Sequence, residues 1–382
     1  MNWRMTLAKL NARRKLIRTF KTAGIYRTIE GTEHDRFIYP KIHDVILSDN
    51  CTRLVFSLPN GLDPKLITKN FFAFQQFYGK NIEIKGEIKT FELIVYQHAP
   101  SSDLPYDYEA IKPHIDRHRL GIICGQDRNG RYVAFDLLKQ PHILIAGETG
   151  SGKSTQLRSI LTTFIMTKKP SEIELYLGDC KRQEFHIFRK VEHVQAVYSS
   201  ARDISSMLRK VSVEMDRRSK LTEVFEVSHV DDLPADQRVP YIVVCIDEFV
   251  MLRNDAEIMD ILTEVVAIGR SLGVLAILSM QRPNAKVLDT TIRANLTVSM
   301  GFKLRDAIES KIVNTPNAHL IEAPGRFVMN SDKLYELQAP YLEMEEAKRL
   351  LNPFMISKGK VKDVTPKEEA PKQLTEEDVF GC

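Results

Sequence analysis

The stretch Gly147–Thr155 reads GETGSGKST and follows directly on the apolar run HILIA. Three glycines in nine residues are costly in a folded chain unless the backbone itself makes contacts that a side chain would block. Gly147, Gly150 and Gly152 can take positive φ and turn successive amide N–H groups inward, and the segment from Thr155 (TQLRSILTTFI) has the pattern of a helix whose N-terminus adds partial positive charge. The guest suited to such a loop is a polyphosphate. The spacing fits G-x-x-x-x-G-K-[ST] through Gly147, Gly152, Lys153 and Ser154. In this reading Lys153 reaches the β- and γ-phosphates of ATP and Ser154 offers a hydroxyl to Mg²⁺. Glu148, Thr149, Ser151 and Thr155 join the three glycines to complete the expected nucleotide-binding set.

A phosphate loop serves kinases, GTPases and translocases alike. The run YIVVCIDEF separates them, because a hydrophobic strand that ends in Asp247 and Glu248 brings two carboxylates to the same sheet edge as the loop. Asp247 is expected on the Mg²⁺ side, and Glu248 is expected to polarise an attacking water, which favours hydrolysis over transfer to a second substrate. A third apolar strand, VLAILSMQ, ends in Gln281, an amide able to bond the attacking water or the γ-phosphate.

These groups need a scaffold that aligns several strand ends. From Gln140 onwards, apolar runs alternate with helical segments, which predicts a parallel sheet buried on both faces. Before it, KIHDVILS and TRLVFSLP predict two strands, DPKLITKNFFAFQQFYG a helix, and NIEIKGEIKTFELIVYQ two more strands, together a small α/β module. DYEAIKPHIDRH reads as a linker, and LGIICGQDRNGRYVAFDL as a hairpin turning at Asn129-Gly130. The expected boundaries are a basic N-terminal segment 1–35, the small module 36–117, the nucleotide-binding domain 118–357 and a charged, proline-bearing tail 358–382 too poor in apolar residues to order itself.

The 382 residues, 43% hydrophobic and 27% charged, are those of a globular protein, and a formal net charge of +4 assigns no partner. The distribution is more telling: Arg4, Lys9, Arg13, Arg14, Lys15, Arg18 and Lys21 face no acid within the first 21 residues, a run suited to nucleic acid, an anionic membrane or a protein partner. The five cysteines form no C-x-x-C pair, and Cys124 and Cys245 sit inside apolar runs, as reduced core residues do. No stretch approaches the roughly 18 apolar residues of a membrane span, so a cytoplasmic location is expected, with recruitment to the membrane left open.

Six segments in order resemble the motor domain of the FtsK/SpoIIIE family of DNA translocases: PHILIAGETGSGKS, GDCKRQEF, EMDRRSKL, IVVCIDEF, GRSLGVLAILSMQRP and IRANLTVSMGFKLRDAIESK. The resemblance spans roughly residues 118 to 335. It implies a RecA-like P-loop ATPase that assembles as a ring, usually a hexamer, around double-stranded DNA, with Lys153, Ser154, Asp247, Glu248 and Gln281 in the roles given above. Asp179 and Lys181 match the family's Asp-Pro-Lys, with Cys180 in place of the proline. Where the family carries an arginine finger this chain has Lys311. Arg suits a bidentate γ-phosphate contact better than Lys, so Arg305 is the expected finger and Arg270 the second choice. A compact motor of this type resembles the coupling factors of mobile elements in conjugation and in plasmid or phage DNA handling, with a relaxase or transfer-channel protein as partner; a related protein-secretion ATPase is the alternative. Lys286 and Arg293, in the stretch after the sensor strand, are the expected contacts to DNA phosphates.

Overall fold

The computed structural model describes residues 3–29, 35–48, 51–79, 81–97, 103–284, 288 and 290–356. The tail 358–382 and Lys286 lie outside the described residues. The chain divides into two compact units. One comprises Met1–Leu104, Gly125–Val133 and Glu336–Gln338, and the other Pro105–Cys124, Ala134–Tyr335 and Ala339–Cys382.

The larger unit is built on a twisted sheet in which seven neighbouring strands run in the order Val194–Tyr198, Ile173–Asp179, Tyr241–Asp247, Val274–Met280, Ile143–Ala146, Val298–Gly301 and Arg326–Asn330. The first six pair in parallel, and Arg326–Asn330 joins antiparallel. Every residue of Ile143–Ala146 and of Val274–Met280 is buried. That double-sided burial is what the uninterrupted apolar runs require. The helix Ala201–Val224 sends Ile204, Leu208 and Val211 into the same core as Val244, Ile246, Leu278 and, from the helix Ala256–Ile268, Leu262 and Val265. The register pairs Met280 with Ala146, Ile246 with Leu278 and Asp179 with Asp247, so the carboxyl ends of the central strands meet at one edge.

At the opposite edge a buried arginine ties the strand entries together. Arg218, from the EMDRRSKL segment, donates to the carbonyls of Leu272 at 2.9 Å and Pro240 at 2.8 Å, while its Nε meets Glu214 at 2.8 Å. These carbonyls lie just before the strands Val274–Met280 and Tyr241–Asp247, so this part of the motif aligns the two strands that lead to Gln281 and to Asp247 and Glu248.

Two local readings change. The stretch read as a linker contains a helix, Tyr108–Ile115: the Asp107 carboxylate accepts from the N–H groups of Glu109 and Ala110, and Ile111 and Ile115 bury one face at i, i+4 spacing. The single helix read after Asp63 is two, Lys65–Lys69 and Phe71–Tyr78, divided at Asn70, whose φ of −105° and ψ of 23° leave the helical range.

In the smaller unit an antiparallel sheet runs in the order Lys41–Leu47, Cys51–Ser57, Thr90–Tyr96, Ile82–Lys85. The helix Trp3–Thr22 lays Leu16 and Phe20 into a core with Phe56 and Phe74; the Phe20 and Phe56 rings lie 4.9 Å apart.

Candidate nucleotide site

The phosphate loop leaves the strand Ile143–Ala146 and ends where the helix Lys153–Thr167 begins. Gly150 has φ of 79° and Gly152 φ of 106°, values that other residues adopt only with strain. Backbone bonds fix the loop on three sides: Gly147 N–H donates to Met280, Glu148 N–H to Lys303, and the Ser151 carbonyl accepts from Gly325 N–H at 2.8 Å. A Cβ on Gly147 would come within 2.6 Å of Phe302 and of the Ser151 hydroxyl, and one on Gly152 within 2.7 Å of the Gly325 backbone. Glycine is therefore demanded by close packing at both positions.

Behind the loop is a buried three-membered cluster. Lys153 Nζ donates to Asp247 Oδ1 and to Ser279 Oγ, both at 2.6 Å, and Ser279 Oγ donates to the same Asp247 oxygen at 2.9 Å. Lys153 and Asp247 are each 3% exposed in their side chains, so the two charges are held by each other and by the hydroxyl rather than by water. Sequence reasoning misses Ser279, whose signal is no more than a lone hydroxyl in the otherwise apolar run VLAILSM.

Beside it stands a second lysine–carboxylate pair. Glu248 directly follows the strand with φ of 57° and ψ of 50°, the left-handed region. This turn brings one carboxylate oxygen to Lys181 Nζ at 2.8 Å and the other to Gln281 N–H at 3.0 Å. The Gln281 side-chain oxygen accepts from the Thr149 hydroxyl at 3.3 Å. Thr149, Gln281, Glu248 and Lys181 thus form one hydrogen-bonded chain from the phosphate loop to the loop after the strand Ile173–Asp179. Asp179 acts on the backbone instead, where its carboxylate accepts from the N–H groups of Gln183, Glu184 and Phe185 and so folds the loop that carries Lys181. Burial, with the carboxylates of Asp247, Asp179 and Glu248, pushes the Cys180 thiol up to about 12, so it stays protonated at neutral pH.

The residues fit a bound nucleotide. The Ser151 hydroxyl is buried without a hydrogen-bond partner, and Lys153 stands at the start of the helix beneath the glycine cradle. Ser154 and Thr155 are half-buried on its first turn. Ser154 and Asp247 are the pair that would hold Mg²⁺; among the described residues no cluster of three or more His, Cys, Asp or Glu offers a dedicated metal cage.

The cations expected to act at or beyond the site are spread apart. Arg305 is on the loop after Val298–Gly301, 61% exposed in its side chain, and bonds Asp306 at 3.1 Å beside Glu309. Lys311, in the last turn of the helix Ala307–Ile312, is exposed, and its carbonyl accepts from exposed Arg293 at 3.1 Å. Arg270 lies at the strand-entry edge, where it adds to the burial that lowers the His142 imidazole to about 4. Arg270 and Arg305 are therefore at opposite edges of the sheet.

Residues 104–239 match the model of the FtsK/SpoIIIE family. Among curated proteins, the DNA translocase FtsK of Oceanobacillus iheyensis is 30% identical over 247 residues, covering 60% of this chain and 32% of the relative. The chain spans about a third of the length of the curated relatives it matches. Among solved structures, the pCW3 conjugation coupling protein TcpA, a monomer with ATPγS, aligns with a TM-score of 0.61 at 22% identity over 89% of this chain and 98% of that one. The type VII secretion ATPase EccC of Thermomonospora curvata aligns with a TM-score of 0.56 at 24% identity, over 62% of this chain and 31% of that one. At these identities the two structures attest to the fold. With the phosphate loop, the paired acids Asp247 and Glu248 and the strand ending at Gln281 at one sheet edge, the chain has the fold and loop of a P-loop ATPase, and its residues 104–239 carry a domain of the FtsK/SpoIIIE family.

Proposed function

We propose that this chain is an ATP-driven double-stranded DNA translocase or coupling protein of a mobile element, active in conjugative transfer or in plasmid or phage DNA handling. It works as a ring, a hexamer by family resemblance, whose ATP sites are completed by a neighbouring subunit. The observation that carries the reading is the chain of contacts from Thr149 through Gln281 and Glu248 to Lys181, which joins the phosphate loop to the acid that would activate water. The curated relatives, which are DNA translocases, support DNA as the cargo.

In this reading Lys153 leaves Asp247 for the phosphates, and Ser154 and Asp247 hold the Mg²⁺ that offsets phosphate charge. Glu248 orients the attacking water, and Gln281, bonded to Glu248 through its backbone and to Thr149 through its side chain, senses the γ-phosphate. Arg305 is the residue offered to the next subunit's nucleotide, and Lys286 and Arg293 meet DNA phosphates. A relaxase or transfer-channel protein is the partner that delivers DNA to the ring.

A second reading, a motor that moves polypeptide, is supported by the likeness to EccC. Phosphate release measured with and without linear duplex DNA, joined to displacement of a third strand from the duplex, separates the two. DNA-stimulated turnover with strand displacement is the expected result. Turnover indifferent to duplex DNA of any length, with no displacement, overturns the DNA reading and leaves the polypeptide motor.

A further inference from the structure

The helix Trp3–Thr22 has two working faces. One is core: Leu16 and Phe20 are fully buried, with Ala12 packed beside them. The other exposes Trp3 at 69%, Leu7 at 50%, Leu10 at 47% and Ile17 at 44%. Their spacing, i, i+4, i+7 and i+14, puts them on one stripe. Arg14 and Lys21 fall on the same stripe and Arg18 beside it, all three exposed, and the helix contains no acid.

Three kinds of surface attract such a helix, and the mixture of groups discriminates among them. DNA phosphates would take the cations, but a hydrated groove gives Trp3, Leu7, Leu10 and Ile17 little reason to be exposed on the same stripe. A second copy of the helix would cover the apolar groups while setting Arg14 and Lys21 against their like. An anionic lipid surface accepts both at once: apolar side chains sink about 5–10 Å into the headgroup boundary, and Lys and Arg reach back to the lipid phosphates. We propose that the helix Trp3–Thr22 is an interfacial helix that seats this chain on an anionic lipid bilayer. Among the described residues no helix is long and apolar enough to cross one. The inference rests on the smaller unit alone and stands apart from the ATPase reading.

Trp3 is the single tryptophan of the chain, so its fluorescence reports the stripe without background. The full chain is mixed with vesicles of phosphatidylcholine, with or without phosphatidylglycerol, and followed by Trp3 emission and co-sedimentation. A blue shift and pelleting with the anionic vesicles only, weakened by salt, is the expected result. Leu7→Ser/Leu10→Ser abolishes both signals while leaving DNA-stimulated ATP turnover unchanged. Arg14→Gln/Arg18→Gln/Lys21→Gln weakens vesicle binding on the order of a hundredfold, at about 1 kcal/mol per cation near an anionic surface. All five positions are exposed, so the variants fold. The proposal is overturned if anionic vesicles leave emission and sedimentation unchanged, if neutral vesicles bind equally well, if duplex DNA shifts Trp3 and vesicles do not, or if the shift follows protein concentration without lipid.

Discussion

Two regions of the larger unit hold the groups of ATP chemistry in opposite ways. Around the phosphate loop, Lys153 at the start of its helix and Asp247 and Ser279 at the ends of central strands are buried and bonded to one another. In the segment 290–311, Arg293, Arg305 and Lys311 are exposed, on short helices and a loop. Their partners there are local and weak: Arg305 pairs with Asp306, and Arg293 with a backbone carbonyl. In the proposed function, groups that act on a nucleotide bound to their own chain come prefixed, while those offered to a neighbour or to DNA stay accessible, held by contacts weak enough to be exchanged at little cost.

The contrast breaks most sharply at Arg305. As a finger supplied to the next subunit, it supports transition-state charge, and Arg305→Ala lowers turnover about 10³-fold. ATP affinity holds, and Arg270→Ala at the other sheet edge has little effect. Phosphate release from mixtures of Arg305→Ala and Glu248→Gln subunits recovers activity at junctions where an intact finger meets an intact acid. Absence of rescue at every ratio, with a monomer as the active species, dissolves the distinction between the regions.

Within the buried cluster the expected effects are about 10²-fold in turnover. Lys153→Ala loses nucleotide binding and, by leaving Asp247 buried without its cation, costs about 3–5 kcal/mol of stability by thermal or urea unfolding. Glu248→Gln keeps nucleotide binding and accumulates unhydrolysed ATP, read by filter retention. Should Glu248→Gln hydrolyse ATP normally, the acid is structural and the comparison loses its catalytic half.

The smallest effect belongs to Arg293. Arg293→Ala leaves DNA-independent turnover intact, lowers DNA stimulation a few-fold, and reduces the slope of log affinity against log salt by about one. An unchanged slope assigns the phosphate contact to another residue.

What is legible in the sequence follows the same division. The phosphate loop, the acid strand, the sensor strand and the parallel sheet can be read because each is a continuous local signal: a glycine pattern, or an apolar run ending in a polar residue. The contact of Lys181 with Glu248 cannot, since it depends on the left-handed turn at Glu248, which nothing in the run CIDEF announces. Ser279 escapes notice because a single hydroxyl hardly alters an apolar run. The strands Val194–Tyr198, Arg326–Asn330 and Leu334–Gln338 are hidden because half-buried residues blur their pattern. In DYEAIKPHIDRH, Pro113 and the charged residues outweigh the cap and the two isoleucines that make it helical.

The bond between Lys153 and Asp247 also bears on how the cycle turns over. The lysine already has an anion in Asp247, so in the proposed function ATP competes with Asp247 for it, and apparent affinity falls by the fraction of sites closed in this way. The same contact is ready when products leave: as phosphate charge departs, the lysine returns to Asp247 instead of remaining an unpaired buried cation. In the proposed cycle product release is thereby assisted from within the site, and each round begins from the Lys153–Asp247 pair.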